Sequence, residues 1–320
     1  MAIVLSVCTS DIRGVAKVPI ETAFFQAGFG IQGDAHAGDW HRQISLLSAE
    51  KIEAFNKLGG DVQPGDFGEN LVVDGLDFRS LPVGTLLRCG PVLLEMTQIG
   101  KECHTQCAIY QRVGDCIMPR EGVFAKVLES GTISVGDEMR IENPAVQRPW
   151  QAAVITLSDK GSRMEREDES GPVIAARLRD CGYEIIEMIL LSDDRETLEL
   201  ELIRLCDQRQ PDIILTTGGT GFAARDNTPE ATLAVADRQA SGIAEAIRAA
   251  SMSITPRAML SRGVSVIRGK TLIVNLPGSP KACEESMDAF LDVMPHALEL
   301  LRGSDADCAD EEGSDTDERN

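Results

Sequence analysis

Around residue 148 the chain changes rhythm, and no other feature limits its possible folds as much. The stretch Glu142-Asn143-Pro144-Ala145-Val146-Gln147-Arg148-Pro149 sets two prolines among polar residues between apolar runs, the composition of a linker. Before it, apolar runs are short and punctuated by Gly and Pro: ISLLS (44–48), NLVV (70–73), TLLRC (85–89) and VLLEMTQI (92–99). That pattern predicts a mostly β half with a few helices, one over Ala49–Lys57 and another over Val123–Glu129. After it, strands are expected at AAVITLS (152–158), YEIIEMILL (183–191), DIILTT (212–217), VSVI (264–267) and LIVNL (272–276). Helices are expected over 171–179, 197–206 and, as one long element, 280–301. Strands alternating with helices predict parallel pairing, right-handed crossovers and a three-layer α/β domain.

The 320 residues suffice for two such domains, each with its own core. The expected segments are 1–143, a linker at 144–150, 151–302, and an acidic tail at 303–320. That tail holds eight acids and one arginine with almost nothing to pack, so it is expected to stay disordered and solvating. The formal charge of −20 argues against nucleic acid and anionic membranes as partners, since a basic footprint is missing. No apolar run reaches the roughly 18 residues of a membrane span. The N-terminal MAIVLSVCTSDIRGV has no basic head and too short an apolar run for a signal peptide, so it reads as a first strand of a cytoplasmic chain. Nine cysteines in such a chain are core residues or reactive thiols rather than a disulfide framework.

Three features of the second half fall where a strand ends and a helix begins, the edge at which open α/β sheets bind ligands. The first is Gly218-Gly219-Thr220-Gly221, whose glycines let backbone N–H groups approach an anion. It continues into Arg225-Asp226, a phosphate partner and a magnesium ligand, and Thr228-Pro229, a helix cap and first turn. The second is Pro277-Gly278-Ser279-Pro280, with Ser279 as cap of a helix start open to anions. The third runs from Ser158 and Asp159 to Ser170 and Gly171, supplying hydroxyls, Lys160 and another helix start. Each alone also reads as an ordinary strand–helix connection. Together they make a phosphate-rich ligand the economical reading.

TTGGTGFAARDNTPEATLAVADR and AMLSRGVSVIRGKTLIVNLPGSPKA closely resemble the molybdopterin adenylyltransferase family, over roughly 151–300. The resemblance implies a Rossmann-like core, a trimer through this domain, and AMP transfer from ATP to molybdopterin with Mg2+. It implies that Asp226 is the essential magnesium-binding carboxylate, that Gly218–Gly221 line the phosphate site, and that Ser279 lies in a phosphate-binding turn. A second acid follows a proline in the family. Here the segment is Leu191-Ser192-Asp193-Asp194, and Asp193 is assigned, with either residue also readable as a helix cap. The nucleophile would be the substrate's own terminal phosphate, ionised near neutral pH, so no general base is needed. The absence of histidine from 150–295 agrees with that.

In the first half, Cys103, His104, Cys107 and Cys116 lie within 14 residues. They read as a zinc site, as packed core thiols, or as one thiolate activated by Lys101, Arg112 or His104 to carry sulfur or bind a soft metal. GIQGDAHAGDWHRQISLLS, PGDFGENL and GKECHTQCAIYQRVGDCIMPREGVFAKVL resemble the MOSC domain, a module shared with molybdenum cofactor sulfurases, over about 3–142. The resemblance implies a β-rich, barrel-like fold that binds the molybdenum cofactor or handles its sulfur through Cys107, with Cys103 and Cys116 as rivals. Asp34, His36 and His41 would stand near the pocket, with Asp39 and Trp40 in the same loop. Molybdenum-insertion proteins or molybdoenzymes would then be partners. The competing reading is a non-catalytic cofactor carrier or scaffold whose two domains both hold pterin.

Residues 150–302 expressed alone should unfold in one cooperative transition and retain nucleotide binding, because the core and the phosphate edges lie inside that span. Removing 303–320 should leave the thermal midpoint unchanged within experimental error. Calorimetry on both truncations checks this.

Overall fold

The computed structural model describes residues 1–101, 108–143, 148–163 and 165–303. In the first half, seven strands close on themselves in the order Glu138–Asn143, Leu86–Cys89, Val92–Ile99, Val123–Glu129, Ile44–Ser48, Leu71–Asp74, Ala2–Thr9. The last returns to the first through Ala2 opposite Met139. Every pairing is antiparallel except Ile44–Ser48 with Leu71–Asp74. Closure leaves no exposed barrel edge and surrounds a core that includes Phe25, Leu46, Phe78, Leu94 and Met96. A second cluster, with Phe55 edge-on to Phe67, packs Ala49–Lys57 and Met118–Glu121 on the outside of the barrel.

Val123–Glu129 is a strand, not the expected helix. Val123, Phe124 and Val127 favour extended backbone. The segment also takes hydrogen bonds on both sides, from Val92–Ile99 and from Ile44–Ser48, which a helix could not supply. Without it the barrel would be open.

The second half is a six-stranded sheet, in spatial order Glu184–Leu191, Gln151–Leu157, Ile213–Thr217, Thr271–Leu276, Ser265–Arg268, Arg238–Gln239. The first four run parallel, as alternation predicts. Ser265–Arg268 and Thr271–Leu276 pair antiparallel instead, because only Gly269 and Lys270 separate them and two residues permit nothing but a hairpin. Buried clusters lie on both faces of the sheet, one built on Val154, Leu178, Leu215 and Val274, the other on Ile155, Leu202, Ile214 and Ile273. The predicted long last helix is broken into Pro280–Met287 and Met294–Arg302. Pro295 has no N–H and its ring would clash with the preceding turn, so it opens a new helix.

The halves meet at the N-terminal ends of the parallel strands. Arg209 is 4% exposed and donates to the carbonyl of Thr97 at 3.1 Å, while Gln210 accepts from the Val83 N–H at 3.0 Å. Between the halves lies a cavity of about 270 Å3, lined among others by Trp40, His41, Thr97, Gln151 and Glu184. Burial, and next the Arg209 guanidinium across the interface, push His41 down from 6.5 to about 4. The unfolded chain therefore binds a proton at His41 that the folded chain refuses. Stability is predicted to be full above pH 6.5 and to fall as pH drops toward 4. Urea unfolding of the wild type and of His41→Gln across that range should show a flatter profile for the variant.

Candidate functional site

Parallel strands in the second half place the loops after residues 157, 191, 217 and 276 on one edge. Loop three begins with Gly218 at φ +97° and Gly219 at φ +63°, backbone that a side chain strains. A Cβ on Gly218 would stand 2.4 Å from the Leu157 carbonyl oxygen, and one on Gly219 2.3 Å from the Thr228 hydroxyl. At Gly221 a Cβ would come within 2.8 Å of the Asp226 carboxylate. Glycine at these positions is thus what lets the loop lie flat against the first strand and its own returning turn. Gly278 reaches the same place from the last loop, its Cβ direction only 3.4 Å from the Gly218 Cα, and the Ser170 hydroxyl donates to the Gly278 carbonyl at 3.2 Å.

The predicted carboxylates gather beside this glycine floor. Asp194 is the helix cap: its Oδ2 accepts from the Thr197 N–H at 2.9 Å, and its bonds with Thr197 hold its carboxyl below the ordinary range. Asp193 is left to face the first loop. Its Oδ2 accepts from the Asp159 N–H at 3.0 Å, and its own N–H donates to Asp159 Oδ1 at 3.2 Å. Burial, reinforced by the charges of Asp159 and Asp226, raises the Asp193 pKa. Arg225 grips Asp159 with two bonds, at 2.6 and 2.7 Å, and that contact lowers the Asp159 pKa. Asp226 accepts from the Ala223 N–H at 2.8 Å through Oδ2. Among the described residues no three Asp, Glu, His or Cys side chains form a ready-made metal cage. Magnesium does not require one, because it is commonly held by one or two carboxylates, substrate phosphates and water. Three interacting carboxylates beside exposed loop backbone fit that mode.

Other expected residues take different work. Thr228 does not cap its helix; Asn227 precedes the helix, and the Thr228 hydroxyl donates to the Gly218 carbonyl at 2.8 Å, closing the loop on itself. Thr220 is buried at 7% exposure. Ser158 caps the short turn Asp159–Ser162 by accepting from the Gly161 N–H, and Ser279 caps its helix by accepting from the Ala282 N–H. The helix start at Ser170 is filled internally, since Asp168 Oδ1 accepts from the Ser170 and Gly171 N–H groups.

Arg262 went unpredicted. Its guanidinium donates to the carbonyls of Gly221 and Asp226 and pairs with Glu230, so it holds the whole third loop. It stands in the quoted stretch AMLSRGVSVIRGK, but its role depends on carbonyls 36 to 41 positions away, which local spacing does not report.

In the barrel half, Cys103, His104 and Cys107 lie outside the described residues. Cys116 is 7% exposed, packed with Ile109, Ile117 and Phe124. Asp34 is consumed by structure: Lys17 reaches it at 2.7 Å, Asn70 at 3.0 Å and the His36 N–H at 2.8 Å, with the Asp34 and Lys17 side chains almost fully buried. Losing one partner of such a pair costs about 3–5 kcal/mol. His41 turns to Gln98 at 2.9 Å, and Trp40 donates to the His36 carbonyl at 2.7 Å.

The glycine floor is testable directly. Gly218→Ala is predicted to destabilise by about 1–3 kcal/mol, since it adds both a positive-φ penalty and a clash with Leu157. Gly278→Ala, whose Cβ meets only an ordinary contact, should stay within roughly 1 kcal/mol of wild type. Paired urea titrations separate them.

Family models place both halves among known modules. One described as a probable molybdopterin binding domain matches residues 153–296, and one described as a MOSC domain matches 33–140. A molybdopterin adenylyltransferase of Helicobacter pylori (strain ATCC 700392 / 26695) is 39% identical over 153 residues, covering 47% of this chain and 87% of the relative. That of Escherichia coli (strain K12) is 36% identical over 173 residues, covering 49% and 88%. A crystal structure of the molybdopterin biosynthesis enzyme MoaB from Thermus thermophilus is 44% identical, with a TM-score of 0.47, covering 48% of this chain and 98% of that one.

Proposed function

The chain belongs, through its C-terminal half, to the molybdopterin adenylyltransferase family, and on that premise we propose that this half transfers AMP from ATP to molybdopterin. One observation supports the reading above others: Asp193, Asp226 and Asp159 converge beside the Gly218–Gly221 backbone at the edge where parallel strands end. In the reaction, an oxygen of the molybdopterin phosphate forms a bond to the α-phosphorus of ATP. The bond to the β-phosphate breaks, and pyrophosphate leaves with that electron pair. Asp226 and Asp193 would hold magnesium, which supplies charge neutralisation at the triphosphate when bound. Gly218, Gly219 and Gly221 present backbone to the phosphates at close range, and Arg225 offers a planar fork suited to a phosphate. Arg262 keeps that loop in register. The nucleophile arrives ionised, so no side chain in the site need take its proton.

The N-terminal half carries a MOSC domain. For it we propose binding of the molybdenum cofactor, with Cys107 as the thiol that meets sulfur or metal. Association of three chains through the C-terminal half, and a cytoplasmic location where ATP is at hand, belong to the same reading.

Asp226→Asn should keep the wild-type thermal transition and lose roughly 10²–10³-fold in AMP transfer, followed as pyrophosphate release with ATP, magnesium and molybdopterin. Asp193→Asn should lose comparably. Asp194→Asn should transfer normally, because asparagine caps a helix as well as aspartate does. Wild-type turnover in Asp226→Asn would remove the catalytic assignment and leave a pterin-binding scaffold.

A further inference from the structure

The bidentate contact between Arg225 and Asp159 spans two loops that follow neighbouring strands. Arg225 also lines a crevice with Leu157, Asp193 and Thr228, whose remaining volume is about 10 Å3, room for no more than one water. Arg225 is also the positive charge that offsets Asp159 and Asp226 around Asp193. Its side chain is 61% exposed, so solvent screens the pair and a more highly charged anion can compete for the guanidinium.

We propose that Arg225 is a placeholder cation, which occupies the carboxylate cluster until a phosphate draws it away and thereby opens the cluster to a divalent cation. The proposal rests on the transfer reading and adds an order of events to it. A phosphate offers Arg225 a bidentate partner with more charge than Asp159. Once Arg225 has turned, Asp159, Asp193 and Asp226 face one another without a counter-charge, and the affinity for a divalent ion rises. An ion arriving first meets the guanidinium and is repelled. Asp159 becomes a positioning residue that stores Arg225 in the empty site and joins the cation's surroundings in the filled one.

The test measures each ligand alone by calorimetry on the full chain: Mn2+ without nucleotide, and ATP in the presence of a chelator. Arg225→Gln should bind Mn2+ about tenfold more tightly and ATP about tenfold more weakly than wild type. Asp159→Asn should shift both the other way, with ATP tighter because Arg225 is released and Mn2+ weaker because a carboxylate is lost. Opposite signs within one variant are what a merely structural role cannot produce, since a damaged site weakens both. Unchanged or weaker Mn2+ binding in Arg225→Gln, with ATP and Mn2+ both bound by wild type, would overturn the placeholder and leave the transfer reading standing. A wild type that binds neither ligand would remove both.

Discussion

Parallel pairing of Gln151–Leu157 on both of its sides is the constraint from which the rest of the second half follows. With Glu184–Leu191 on one flank and Ile213–Thr217 on the other, consecutive loops must leave the same edge in opposite directions, opening a crevice there. Side chains from 159, 193 and 225, far apart in sequence, become neighbours only because of that order. The opposite end of the same strand is sealed. Asp212, 4% exposed, accepts from Arg148, from Arg302 and from the Gln151 N–H, and Arg302 lies over the Trp150 ring at 3.8 Å. That buried carboxylate ties the end of the linker, the start of the first strand and the last helix into one knot.

The two ends of the sheet therefore serve different purposes. Seven residues of strand, rising about 3.3 Å each, put roughly 20 Å between the carboxylate crevice and the base where the barrel docks. Gln151, Glu184 and Arg209 line the cavity between the halves, while Asp159, Asp193 and Asp226 face away from it. Among the described residues, the two flanks of the strand between these places are filled by the buried clusters. The contact of Arg209 with Thr97 joins the halves at that base.

Polar groups near the site divide between those that build it and those left to act. Asp168 fills one helix start, Asp194 caps another, and Arg262 gathers loop carbonyls, so none of the three is spare. In the barrel, Asp34 is spent in the same way on Lys17 and Asn70. Asp193 is different: its Oδ2 accepts only from the Asp159 N–H among the described residues, while burial and the neighbouring Asp159 and Asp226 charges raise its pKa.

Much of this was legible in the residues. The change of rhythm at the prolines separated a β-rich half from an alternating one. GGTG with the Arg-Asp pair located the third loop, and LPGSP located the last with Ser279 as its cap, because these signals are local and depend on backbone conformations few residues adopt. What the residues could not decide depended on contacts between distant segments. Val123–Glu129 is extended because two barrel strands need its hydrogen bonds. Asp193 rather than Asp194 turns to Asp159 and the first loop, because Thr197 at the helix start takes the latter's carboxylate. The pairing of Arg225 with Asp159 joins residues 66 positions apart. Composition and spacing report short-range preference, and chemically identical neighbours are told apart by which hydrogen-bond donors the folded chain brings to each.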